Sequence, residues 1–214
     1  MLSEKESIKD LLLADQYDKL CEFIKQKKNR LSTLLSLSYT TDNYIKFKVI
    51  RATGFVVDKI IDQELEFIKT TISNLLWSLN DDSGSVGWSS PELLGEIIST
   101  RIDLLKEYIP LVISMLKIKE TYFRAGVLWA MGRIASVEPS HIKPYAPFIN
   151  MYLSDPAAET PGYAVWCLKL INAKIPEEHI SHLLEDTSEI VLLDTDGSIS
   201  KKTISELAKQ TRTR

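Results

Sequence analysis

The chain has 214 residues, 44% of them apolar and 26% charged, with a net charge of −3. That size and mix make an ordinary globular protein of one large or two small domains that buries roughly 70% of its surface and needs no staple. The net charge gives no global attraction to nucleic acid or anionic membrane, and the basic clusters Lys25–Arg30 and the closing "TRTR" are short. Cys21 and Cys167 stand far apart, outside any CxxC spacing, and read as buried small hydrophobes of a reducing compartment. The start "MLSEKESIKD" has no apolar core of a signal peptide, and no apolar run approaches a membrane span, so a cytoplasmic location is expected.

In chain order, residues 4–37 read as helical, and 1–41 form an N-terminal cap. From there the sequence repeats. Ile68, Ile72, Leu75 and Leu79 lie on one helix face. Adding 37 gives Leu105, Ile109, Val112 and Leu116, and adding 37 again gives Ile142, Ala146, Ile149 and Leu153. A second series precedes it in each unit. "RATGFVV", "ELLGEII", "WAMGRIA" and "WCLKLIN" align on Gly54, Gly95, Gly132 and Lys169, with steps of 41, 37 and 37. A glycine inside a helix costs about 1 kcal/mol relative to alanine, so its return at one phase points to close backbone approach. Each unit is then two antiparallel helices, which stack because neither buries its apolar face alone. The expected units are 42–80, 81–117, 118–155 and 156–186.

The segment "ETYFRAGVLWAMGRIASVEPSHIKPYAPFINMYLSD" resembles a HEAT repeat of the short bacterial type, the class that includes phycobilin-lyase repeats. Arg124 before the apolar stripe, the end Gly132-Arg133-Ile134 and the closing Leu153-x-Asp155 carry the likeness, which extends over about Asp42 to Asp186. "AETPGYAVWCLKLIN" departs from the pattern because it lacks the early Arg. The resemblance implies an all-α fold, an α-α superhelix (HEAT-like solenoid), over residues 1–186. Residues 187–214 close it. "EIVLLDTDGSISKK" reads as a β-hairpin, and Thr203 to Glu206 as a capping box that opens a last helix. A lone hairpin is barely stable, so this cap must pack on the final repeat.

One loop interrupts the helices. In "SLNDDSGSVGWSSPELLGEI", Ser90 reads as the N-cap of the next helix, Pro91 as its first residue, Glu92 as an acid facing the positive helix end, and Trp88 as a staple on the first turn. Asp81 and Asp82 suggest a divalent cation. A calcium loop with Gly84 sixth, however, puts Leu79 first and Ser90 twelfth, where Asp and Glu are required. Asp194, Asp196 and Gly197 fail the same test, and "HISH" at His179–His182 lacks the spacing of a zinc helix. No metal and no cofactor are expected.

The candidate binding residues are Trp88, Asp81 and Asp82 on the loop, with Lys69, Lys106 and Lys143, which recur every 37 residues and would line one edge. Trp129 and Trp166 align in the repeats, as do Tyr108 and Tyr145, and read as core. No GxSxG, phosphate-loop or dinucleotide glycine pattern appears. The expected function is a non-catalytic interaction module that binds a protein or peptide. The resemblance implies two alternatives: a glycosylase that removes alkylated bases, with Trp88, Asp81 and Asp82 as its residues, and a chromophore-lyase-like helper. Net acidity argues against nucleic acid as the partner, because affinity for DNA comes largely from phosphate neutralisation.

Overall fold

The chain begins its first helix at a reciprocal cap. Glu6 N–H donates to Ser3 Oγ at 3.2 Å and Ser3 N–H donates to Glu6 Oε2 at 2.7 Å, opening α1 (Glu4–Leu13). This helix ends in a Schellman turn. Asp15 N–H bonds the Leu12 carbonyl, Gln16 N–H bonds the Leu11 carbonyl, and Asp15 takes φ of 52°, a conformation that Asp tolerates better than most residues. The Asp15 carboxylate accepts from the Tyr17 hydroxyl at 2.8 Å and from Lys48 Nζ at 2.9 Å, which ties the turn to a later helix. α2 (Tyr17–Gln26) and α3 (Arg30–Ser36) complete the helical N-terminal stretch and bury Leu20, Ile24, Leu31 and Leu34.

This computed structural model describes residues 3–78, 89–117 and 122–212. They fall into two compact units, Met1–Arg101 and Ile102–Arg214. In the first unit α1–α3 pack on α4 (Asn43–Ser78), and α4 packs on α5 (Ser90–Thr100). Asp42 caps α4 by accepting from the N–H groups of Tyr44 and Ile45 at 2.9 and 3.2 Å. The two helices expected for the first repeat follow one another in α4 across one non-helical residue, Glu64 (φ −129°, ψ 32°), with no loop between them.

The second unit continues with α6 (Ile102–Leu105), α7 (Ile109–Ser114), α8 (Tyr122–Val137), α9 (Ala146–Asn150), α10 (Glu159–Leu170) and α11 (Glu177–Glu185). The second helices of the repeats are broken into short α and 3-10 pieces. Pro110 and Pro147 stand at the starts of α7 and α9, and a residue without an N–H restarts a helix more readily than it continues one. α10 ends with Asn172 at φ 53° in a second Schellman turn, with Asn172 N–H on the Lys169 carbonyl and Ala173 N–H on the Leu168 carbonyl.

Burial follows the 37-residue register. Ile68, Ile72, Leu75, Leu105, Ile109, Val112, Leu116, Ile142, Ile149 and Leu153 are all buried, and Ala146 is half-buried. The two ends of the HEAT-like motif also meet, since Arg124 Nη1 lies 3.2 Å from Asp155 Oδ2. Asp155 Oδ1 in turn accepts from Ala157 N–H at 3.0 Å, so one carboxylate closes a repeat and starts the next connection.

The C-terminal cap is a hairpin followed by a helix. β1 (Glu189–Leu193) pairs antiparallel with β2 (Ile199–Thr203) in the register Glu189↔Thr203 to Leu193↔Ile199, around a turn with Gly197 at φ 81°. Thr203 and Glu206 make the capping box of α12 (Ile204–Arg212), at 2.8 and 3.1 Å. The hairpin is held by the repeats. Trp129 Nε1 donates to the Leu193 carbonyl at 3.2 Å, Trp166 Nε1 to Asp194 Oδ1 at 3.2 Å, and the Tyr163 hydroxyl to the Val191 carbonyl at 2.7 Å. Beneath it, Ile190 lies over Gly162, where an added Cβ would meet its side chain at 2.7 Å.

Candidate functional site

Trp88, Asp81 and Asp82 lie outside the described residues, as does most of the Asn80–Ser90 loop. Its far end differs from the sequence expectation. α5 starts at Ser90, so Ser89 holds the N-cap position, and neither serine caps the helix with its side chain. The Ser89 hydroxyl donates to the Ser38 carbonyl at 2.9 Å, and the Ser90 hydroxyl pairs with that of Ser78 at 3.2 Å. Both hydroxyls are turned toward other elements, and no side-chain bond caps the helix N–H groups.

Glu92 also departs from expectation. It does sit in the first turn of α5, but it is buried there and 3.1 Å from Lys46 Nζ. Its Oε2 is buried and has no hydrogen-bond partner among the described residues. Glu96, one turn on, is buried as well and packs against Gly54, where an added Cβ would meet Glu96 Oε1 at 2.3 Å. Periodicity showed that this face is turned inward but gave no sign that two acids would occupy it.

The three lysines separate. Lys69 is half-buried and makes a contact of its own. Lys106 and Lys143 are exposed, and neither has an acidic partner among the described residues. They begin matching faces of two second helices. One runs Lys106, Pro110, Leu111, Ser114 and Lys117, the other Lys143, Pro147, Phe148, Met151 and Ser154, all exposed and each pair 37 residues apart. Large apolar side chains recur on this outward face, with Leu111 46%, Phe148 50% and Met151 72% exposed. Trp77 holds the position equivalent to Ser114 and Met151 in the first unit and is 71% exposed. Within the second unit the Tyr152 hydroxyl donates to the Leu116 carbonyl at 3.2 Å, which joins the ends of these two second helices. The signal was present in the sequence, since Leu111 and Phe148 share a register, but only their exposure separates them from the core series.

The aligned aromatics divide too. Trp129 and Trp166 are fully buried, as expected, and stack at 6.2 Å and 12°, whereas Tyr108 and Tyr145 are half-buried. These tyrosines lie in the 3-10 turns ahead of α7 and α9, none of whose residues is fully buried. His179 and His182 meet edge to face at 5.7 Å. His179 Nδ1 is 3.0 Å from the Ser154 hydroxyl, and His182 Nε2 donates to the Leu153 carbonyl at 3.2 Å, so both rings clasp the preceding repeat. Among the described residues there is no cluster of three or more His, Cys, Asp or Glu side chains that could hold a metal. Both cysteines are free and buried, and burial pushes their thiols up, so neither carries much of the thiolate needed for nucleophilic chemistry. Among the described residues no helix is long and apolar enough to cross a membrane.

No protein-family model matches the chain, and no curated protein does. Solved structures are similar to it. One engineered protein overlaps 97% of this chain and 87% of its own at a TM-score of 0.53 and 16% identity. A second engineered protein overlaps 91% of this chain at a TM-score of 0.54 and 16% identity, and the chain spans 49% of its length. An archaeal HEAT-like repeats protein from Thermococcus onnurineus NA1 overlaps 99% of this chain and 79% of its own at a TM-score of 0.41 and 14% identity. The overlaps above 0.5 concern the fold alone. Together with the buried 37-residue register they define the fold: an all-α helical-repeat protein with a C-terminal hairpin and helix.

Proposed function

We propose that this helical-repeat scaffold is a non-catalytic interaction module that binds a protein or peptide partner. The observation that carries the proposal is the exposed apolar series Leu111, Phe148 and Met151 on the outward face of the second helices. Single exposed apolar residues are ordinary, but Leu111 and Phe148, exposed at repeat spacing with Met151 beside Phe148, make a contact surface. Trp88, Asp81 and Asp82 are proposed as further contacts, because functional side chains concentrate on loops held by a rigid scaffold. The buried, unpaired cysteines suit action in the cytoplasm.

The test is capture from the lysate of the native host with the intact chain and with the double variant Leu111→Asp, Phe148→Asp. Both sites are exposed, so the variant should keep its helical circular dichroism. A species retained by the parent chain and lost by the variant is expected. Equal capture by both would overturn this assignment of the face.

A further inference from the structure

The same face carries charge as well as apolar surface. Lys106, Lys117 and Lys143 are exposed and have no acidic partner among the described residues. The acids nearby are engaged elsewhere: Asp103 and Glu107 make contacts of their own, Asp155 holds Arg124, and Glu138 accepts from the Ser140 hydroxyl at 2.7 Å. These ammoniums therefore stand on the same outward face as Leu111 and Phe148, with no acid among the described residues set against them. In a chain of net charge −3, a lysine-bearing apolar strip is complementary to acidic segments and repels basic ones.

The size of the face limits what fits. Each second helix is a chain of short α and 3-10 pieces, with α7 of 6 residues and α9 of 5, so neither presents one straight axis along which a long partner helix would seat. The Tyr152–Leu116 bond brings the ends of the two second helices together, so a short extended segment can cross from one to the other. Such a segment meets Lys106 and Leu111 on one helix, then Lys143, Phe148 and Met151 on the other.

We propose that the outward face of α7 and α9 docks an extended acidic segment of another protein, its carboxylates on Lys106 and Lys143 and its apolar side chains on Leu111, Phe148 and Met151. This deepens the scaffold function proposed above and rests on it. The probe is a library of short random peptides displayed on phage, panned on the intact chain, on Lys106→Glu, Lys143→Glu, and on Leu111→Asp, Phe148→Asp. Enriched peptides should combine Asp or Glu with large apolar residues. They should bind the lysine double variant on the order of tenfold more weakly, the sum of two exposed ion pairs, and lose affinity as salt rises. Neutral or basic peptides that still require Phe148 would overturn the acidic assignment and leave the scaffold function standing. If no peptide depends on Leu111 and Phe148, and lysate capture does not either, both fall. A dimer seen by sedimentation and dissolved by Phe148→Asp would give the face to a second copy and overturn the proposal.

Discussion

Glu92 in the first unit and Trp129 and Trp166 in the second hold one position of the repeat, each 37 residues from the next. All three are buried, the acid at 3% exposure and both indoles at 0%. Their surroundings have nothing else in common. The indoles stack at 6.2 Å and reach out to the hairpin, while Glu92 takes Lys46 at 3.1 Å. The glycines repeat the contrast, since Gly132 makes room for the Trp166 ring and Gly54 for the Glu96 carboxylate. The repeat fixes which positions face inward. The helix packed against each position decides whether apolar contact or an ion pair satisfies it.

The contrast can be broken most severely at the indoles. Trp166→Ala should cost about 3–5 kcal/mol in chemical denaturation, the usual range for a large aromatic lost from a packed core. Amide exchange in β1 should rise at the same time, because the bond to Asp194 goes with the ring. A loss below about 1 kcal/mol would show that the hairpin does not depend on the stack.

The acidic version should respond to pairing more than to volume. Lys46→Met leaves Glu92 buried without its cation and should cost about 2–3 kcal/mol, discounted because Lys46 keeps some exposure. Lys46→Met with Glu92→Leu should recover most of that loss, since an apolar pair of similar volume often matches a buried ion pair. A double variant as unstable as the single would mean that the pair is not replaceable by packing.

The glycines sharpen the comparison at smaller scale. Gly132→Ala puts a Cβ 2.3 Å from the Trp166 ring, which is rigid, and should cost about 1–3 kcal/mol by overpacking. Gly54→Ala meets the end of a flexible Glu96 side chain and should cost less. Thermal melts of the two variants give the order directly.

The smallest expected effect lies in the N-terminal helices. Hydrogen bonds from Lys48 and Tyr17 hold the Asp15 carboxyl below its ordinary value. Such a group contributes stability above its unfolded value near 3.9, and the contribution is lost as pH falls through the lowered folded value. Asp15→Asn should therefore cost about 1 kcal/mol at neutral pH, a modest figure because Asp15 is half exposed, and should flatten the stability profile below about pH 4. Burial first, and then its bond to Asp15, push the Tyr17 hydroxyl up to about 12. An unchanged acid profile in Asp15→Asn would place the acid sensitivity elsewhere.

Several features were legible before any coordinates. The aliphatic register, the hairpin, its dependence on the last repeats, and the capping box of Thr203 and Glu206 all rest on spacing within a few residues or on a fixed period. The capping box at Ser3 and Glu6 has the same signature and was open to the same inference. Other features were not legible. Ser90 looked like an N-cap because local sequence cannot show that Ser78 and Ser38 claim the neighbouring hydroxyls. The second helices looked regular because apolar spacing survives the change from α to 3-10 turns at Pro110 and Pro147.

By itself, then, the sequence determined the period of the helices, the inward face of each, and the elements that close the chain. These follow from backbone geometry, in which residues three or four apart share a side and a proline or glycine acts where it stands. Only the tertiary structure decided that Glu92 would be paired inside, that Trp129 and Trp166 would stack and hold the hairpin, and that Leu111, Phe148 and Met151 would stand in solvent beside free lysines. Those outcomes depend on which distant segment packs against a residue, and no local pattern encodes that neighbour.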